Sequence, residues 1–216
     1  MRSANTFNTR AVARALLAAA TAVAMTACGV APPAPEDHYY RLPPPNPGEP
    51  LTRPLVAGKV GVAPITARGL YQERAILFTD SRRPLELDLY NYHFWVQSPS
   101  HLIQAYLIDY LRAAKAAVSV TRYEPGATAD GTISGHIDRF ERIVGGEQDR
   151  VTVALDLHYA AADRPATPAF DKRYEATVPV RGRTMDAVVT AFGTALDRIG
   201  GAFVHDLAQA SREGRL

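Results

Sequence analysis

Between residues 131 and 180 apolar and polar side chains alternate with a period of two, and pleated strand is the backbone that satisfies such a pattern. The cleanest run places Val151, Val153, Leu155, Leu157 and Tyr159 on one face, with Asp156 and His158 on the other. Residues 173–180 repeat the pattern with Tyr174, Ala176, Val178 and Val180, and residues 131–144 form a longer strand interrupted by Gly135. Gly145-Gly146 and the Asp163-Arg-Pro165 stretch supply the turns between neighbours. Strands joined by short turns pair antiparallel, and one-sided alternation calls for a sheet with one covered face and one free.

The cover comes from two helical patterns. Over residues 98–112, Ser98 suits the cap and Pro99 the first helical position. Leu102, Ile103, Tyr106, Leu107, Tyr110 and Leu111 share one face, with Gln104, Asp109 and Arg112 on the wet face. A second helix runs from Met185 to about Ala210, capped by Thr184 with Asp186 in its first turn, and Met185, Val188, Val189, Phe192, Leu196, Ile199, Phe203 and Leu207 form its stripe. Gly200-Gly201 bends it or admits a close neighbour. Shorter strand patterns occupy residues 55–65, 74–79, 85–95 and 117–122. In the third of these, Leu85, Leu87 and Leu89 point one way, and Glu86, Asp88, Tyr90, Tyr92 and Phe94 point the other, so either set can fill the core. The element order is β-β-β-α-β-β-β-β-α. The expected fold is α+β, an antiparallel sheet of about six to seven strands with two long helices packed on one face. Residues 55–216 are long enough for one domain with its own core.

The start of the chain is read separately. Arg2, Arg10 and Arg14 precede an uncharged run from Ala15 to Met25, then Thr26-Ala27-Cys28. Eleven residues make a helix of about 16 Å, short of the roughly 30 Å of a bilayer core, so residues 1–27 read as an export signal. Met25-Thr26-Ala27-Cys28 resembles a bacterial lipobox, which implies cleavage between Ala27 and Cys28 and lipidation of the Cys28 sulfur. Cys28 is the only cysteine, so an intramolecular disulfide is excluded, and a thioether spares it the fate of a lone thiol in an oxidising compartment. Several acyl chains would hold it firmly. Gly29, where an inner-membrane retention signal would carry Asp, favours the outer membrane. Loss of the three arginines leaves 21 Lys+Arg against 22 Asp+Glu, so the mature chain is near −1, and no block of like charge suggests a nucleic-acid partner. Nine of the sixteen prolines fall between Pro32 and Pro54, so residues 28–54 read as an extended tether. Within it, His38-Tyr39-Tyr40-Arg41-Leu42 is apolar enough to add an edge strand.

The chain shows no catalytic motif. His136 and His158 fall on the polar face of their strands, as a solvated sheet face requires. No pair of histidines stands at i, i+4 and no cysteine pair exists, so no metal site or cofactor is expected. Gly145-Gly146 does not open a helix and cannot cradle a phosphate. Asp156 and His158, two apart on one strand face, are expected to be a solubilising edge, with acid/base chemistry the minor alternative. The unusual feature is Tyr90-Asn-Tyr-His-Phe-Trp95. With the leucines in the core, Tyr90, Tyr92 and Phe94 point outward together and, with Trp95, form a candidate partner surface. Alternatively, a bulge near Asn91 exchanges the faces, or the helices cover this side.

Tyr39-Tyr40-x-Leu42, Lys59-Val-Gly-Val-Ala-Pro64, an Arg-Ala-Ile-Leu strand, and Trp95 leading into a helix are arranged in an order that resembles the ABC-type transport auxiliary lipoprotein family. This is the family of the lipoprotein in the paraquat-inducible transport system, and the likeness runs from about Tyr39 to the end. Family members usually carry an acidic residue and Pro-Leu after the Trp, whereas this chain has Gln97-Ser98-Pro99-Ser100, so the specificity of that junction differs if it meets a partner. The resemblance implies a non-enzymatic outer-membrane lipoprotein facing the periplasm. It would work beside an inner-membrane ABC transporter and an MCE-type periplasmic protein that move lipid or other apolar cargo. The family also admits ring-like homo-oligomers. Two rival readings are a lipid-binding carrier, which needs an apolar cavity between sheet and helices, and an activator of a cell-wall enzyme; a hydrolase is the weakest alternative.

Overall fold

The computed structural model describes residues 35–165 and 167–216, so Ala27, Cys28 and the export segment lie outside the described residues. One compact unit spans Asp37–Leu216. Its strands are β1 (His38–Tyr40), β2 (Val56–Ala67), β3 (Ala75–Asp80), β4 (Asp88–Trp95), β5 (Ala117–Arg122), β6 (Gly131–Val144), β7 (Arg150–Ala161) and β8 (Phe170–Pro179). Its helices are α1 (Pro99–Ala113) and α2 (Met185–Arg212), and a single 3-10 turn spans Gly69–Gln72.

All eight strands join one sheet with β6 as its spine. Along one edge β6 pairs antiparallel with β7, which pairs antiparallel with β8, as expected from the short turns. The other edge of β6 is shared. Its first half pairs with β2, from Val60↔Gly131 to Ala67↔Ile137, and its second half with β3, from Leu77↔Glu141 to Asp80↔Val144. Both pairings are parallel, as are β2 with β5 and β1 with β4. The sheet is therefore mixed and eight-stranded, which corrects the expected antiparallel sheet of six to seven strands. Three connections produce the parallel part, one of them residues 123–130, which join β5 to β6 on opposite sides of β2 without reversing direction. The 3-10 turn leaves β3 in line with β2, so the chain does not reverse between them. Helix α1 carries it back before β5, the long crossover that parallel neighbours need.

Both helices lie on one face, α1 against β2 and β5 and α2 against β7 and β8. The space between is filled by the predicted stripes, with Ile103, Leu107, Phe192, Leu196 and Phe203 at 2% exposure or less against Val153, Leu155, Leu157 and Tyr159 at 0%. Helix α2 is long and apolar enough to cross a membrane by length and composition alone, but its apolar stripe is spent on this core. Gly200 admits a ring: a Cβ there would come within 2.7 Å of the Tyr110 side chain. Thr184 caps α2 as expected, its Oγ1 accepting from the Ala187 amide at 3.3 Å. Ser98 makes no side-chain cap bond, and its hydroxyl lies 3.3 Å from His101 Nδ1. Gln104 is fully buried rather than on the wet face, because its Nε2 donates to the Val62 carbonyl at 2.9 Å.

The proline-rich stretch also differs from expectation. From Asp37 onward it belongs to the compact unit, so the tether's expected end at residue 54 falls too late. The Leu51 amide donates to Ala114 O at 3.0 Å and the Asn46 amide to Asp197 Oδ1 at 2.9 Å. Pro43 packs so closely on α2 that a Cβ at position 193 would lie 2.4 Å from its ring. Proline fixes φ without forbidding contact, and Gly193 provides the flat place where such a segment can lie.

Candidate functional site

The β1–β4 ribbon forms one end of the sheet. β1 runs parallel to β4 in the register His38↔His93, Tyr39↔Phe94 and Tyr40↔Trp95, and the Val96 amide donates to Tyr40 O at 2.9 Å. β4 pairs antiparallel with β3, but Ala75 opposes Phe94 while Leu77 opposes Leu89. Between these two pairs, the four residues 90–93 of β4 thus face Ile76 alone on β3. The excess is taken up between Tyr90 and His93, where a bulge re-aims the side chains.

That bulge decides the fate of the aromatic run. Tyr90, Tyr92 and Phe94 do not share a face, the outcome that a bulge near Asn91 entails. Tyr90 turns to the helix side, with its ring 4.6 Å from Phe78 and its hydroxyl accepting from Arg142 Nη1 at 2.9 Å. Asp149 holds the same guanidinium, through Nε at 3.1 Å and through Nη2. Burial raises the Tyr90 hydroxyl pKa, and Asp149 adds to the rise while Arg142 opposes it. Trp95 is core, 1% exposed, between Phe140 at 5.3 Å and Phe192 at 5.2 Å. Phe94 faces the side without helices, stacked at 5.7 Å on Tyr39, over which the Arg74 guanidinium lies 5.4 Å from the ring centroid. Only Tyr92 among the four predicted residues is exposed.

Leu85 and Leu89 are exposed instead of filling the core. The bulge and the end-of-sheet position leave nothing for them to pack on. The exposed apolar surface of this ribbon consists of Tyr39, Leu89, Tyr92 and Val96, with Leu85 in the preceding loop. Among the described residues no strand pairs with the outer edge of β1. An exposed strand edge beside exposed aromatic and aliphatic side chains is a surface suited to protein contact.

Histidine ties β1 to this ribbon. Tyr40 Oη and His93 Nδ1 are 2.9 Å apart, and the His38 ring stacks on His93 at 5.3 Å. Burial first, and His38 second, depress the His93 pKa below its ordinary 6.5. The unfolded chain therefore takes up this proton at higher pH than the folded one. The contribution to stability is complete above pH 6.5 and is lost as pH falls from there through the depressed value. The protection factor of the Val96 amide, its exchange rate relative to the intrinsic rate at the same pH, is expected to fall between pH 7.5 and 5.5, and that fall should vanish in His93→Gln.

The helix-free face carries a second group of polar residues. His136 and Asp156 are directly opposed on β6 and β7. His136 Nε2 lies 3.1 Å from Asp156 Oδ2 and 3.2 Å from Asp138 Oδ1, and Arg173 on β8 pairs with Asp138. His158 contacts Ser134 instead of Asp156. Glu141, 3% exposed, accepts from Tyr71 Oη at 2.9 Å and Arg139 Nε at 2.8 Å. Spacing within one strand could not show the His136–Asp156 pair, because the register of two strands creates it.

With the fold in view, a family model described as ABC-type transport auxiliary lipoprotein component matches residues 40–202. The chain belongs to this family. The auxiliary lipoprotein's matched region starts at Tyr40 in β1 and ends inside α2, so it contains the whole sheet after the first two residues of β1. No match was found among curated proteins. Among solved structures, protein XCC0632 from Xanthomonas campestris is 19% identical with a TM-score of 0.68, covering 82% of this chain and 98% of that one. An uncharacterized protein shares 12% identity at a TM-score of 0.60, over 83% of this chain and 99% of that one. The hypothetical protein CT253 from Chlamydia trachomatis, 8% identical at 0.50, covers 72% and 98%. At these identities the likeness establishes the fold of the auxiliary lipoprotein.

Proposed function

We propose that this auxiliary lipoprotein is a non-enzymatic accessory subunit of an MCE-type ABC transport system for lipids or other apolar compounds. Lipidated at Cys28, it sits at the outer membrane facing the periplasm and docks the periplasmic part of the assembly through the β1–β4 end of its sheet. The observation that carries this reading is the exposed apolar ribbon of Tyr39, Leu89, Tyr92 and Val96 on a family member whose fold is already complete without it. Membrane confinement raises the effective concentration of both partners, so a small docking surface of modest affinity suffices.

The interior supports docking over carriage of lipid. Trp95, Phe140 and Phe192 fill the space between the layers, with Phe140 and Phe192 rings 4.4 Å apart. The grooves found among the described residues lie at the margins or on the helix-free face, such as one of about 410 Å³ between β8 and α2 lined by Val178, Arg181, Thr190 and Arg198. A lipid chain needs an apolar cavity enclosing most of its surface.

The test is affinity purification from cross-linked cells. Wild-type protein is expected to recover MCE-type and ABC-transporter components, and the Leu89→Asp/Tyr92→Asp double variant to lose them while keeping its circular dichroism. Undiminished recovery by the folded double variant would remove this surface from the reading. Recovery of a cell-wall synthase instead would favour the activator role.

A further inference from the structure

We propose that His136, Asp138 and Asp156 form a binding site for a divalent transition-metal cation on the helix-free face of the sheet. Their ligand atoms, one imidazole nitrogen and two carboxylate oxygens, all lie within 4.8 Å of one another. The nitrogen is 3.1 Å from Asp156 Oδ2 and 3.2 Å from Asp138 Oδ1. A tetrahedral cation with bonds of about 2.0–2.1 Å separates its ligands by about 3.3 Å, and an octahedral one by about 3.0 Å. The two observed nitrogen–oxygen spacings fall between those values.

The backbone builds this arrangement. His136 and Asp156 are held opposite each other in the β6–β7 ladder, and Thr66 of β2 opposes His136 on the other side. The register slips between Ile137↔Leu155 and Arg139↔Ala154, so Asp138 is the extra residue of a bulge with no partner on β7. Freed from the ladder, its carboxylate turns back toward His136. All three ligands approach from the sheet, leaving the remaining coordination positions to water or to a group from a partner.

The charge balance also fits a cation. Two carboxylates against one cationic Arg173 leave an excess of negative charge among these side chains. Arg173 pairs with Asp138 and, at 3.5 Å, with Glu175, so its guanidinium occupies the place of a competing positive group. The side chains of His136, Asp138, Asp156 and Arg173 are 43%, 31%, 30% and 46% exposed, so that ion pair is partly wet and cheap to open. One nitrogen with two oxygens suits zinc and its first-row neighbours better than magnesium or calcium, which favour oxygen alone.

Zn²⁺ titration into untagged, chelator-stripped full-length protein in detergent, followed by calorimetry, tests the site. One saturable site is expected, weakened at least about tenfold by His136→Ala and by Asp156→Asn. Arg173→Ala should tighten it several-fold by removing the competing cation, an effect that a plain salt-bridge network cannot give. His158→Ala should leave it unchanged. Absence of saturable binding below about 1 mM, equal affinity in His136→Ala, or no tightening in Arg173→Ala would each overturn the proposal.

Discussion

Replacing Trp95 with alanine is expected to lower folding stability by about 3–5 kcal/mol, the range for removing a fully buried aromatic side chain. The indole is 1% exposed and touches Phe140 and Phe192, one from the sheet and one from α2. Its backbone joins the same place from outside: the Trp95 amide donates to Arg74 O at 2.7 Å, and Arg74 Nε donates to Trp95 O at 3.1 Å. Trp95 is thus where the end ribbon is fastened to the core. Its loss should loosen β4 and β1 before the rest of the sheet. Urea denaturation followed by circular dichroism measures the total, and hydrogen exchange at Val96 measures the local part. Tyr92→Ala, three residues away and exposed, should change stability by no more than about 0.5 kcal/mol. Equal losses in the two variants would contradict this placement of the run.

Replacing Cys28 with alanine is expected to move the protein from the membrane fraction to the soluble fraction almost completely. Each buried methylene of an acyl chain contributes ~0.8 kcal/mol, so one chain is marginal while several are effectively permanent. The described unit offers no substitute anchor, because the helix long enough to span a bilayer has its apolar stripe committed to β7 and β8. Fractionation of cells with immunodetection checks the outcome. Retention of Cys28→Ala protein in the membrane after a high-salt wash would contradict lipid anchoring.

The elements were legible in the sequence because each satisfies a local rule. Alternation from Val151 to Tyr159 and the stripe from Val188 to Leu207 mark faces whose burial the structure repeats residue by residue. Strand direction was not legible. The β2–β6 and β3–β6 pairings are parallel because of a single 3-10 turn, a crossover helix and a non-reversing connection over residues 123–130, and nothing in the strands themselves encodes that. The faces of the Tyr90–Trp95 run were left open between two arrangements for a related reason. Alternation carries over only while every residue is paired, and the bulge breaks the count, sending Tyr90 to Arg142 and Phe94 to Tyr39. Gln104 shows the same limit on a helix, where a polar residue is buried because a particular carbonyl, that of Val62, awaits it. The His136–Asp156 pair needed two strands in register before it could be seen at all.

A photo-activatable cross-linker placed at Tyr92 in living cells, with Val118 on β5 as the comparison, tests the docking reading most directly. Both positions are exposed, at 41% and 66%, so reach alone does not separate them. Adducts with a periplasmic transporter component from Tyr92 and none from Val118 are the predicted result. Adducts from Val118 with Tyr92 silent would place the contact elsewhere and contradict docking through the β1–β4 end of the sheet.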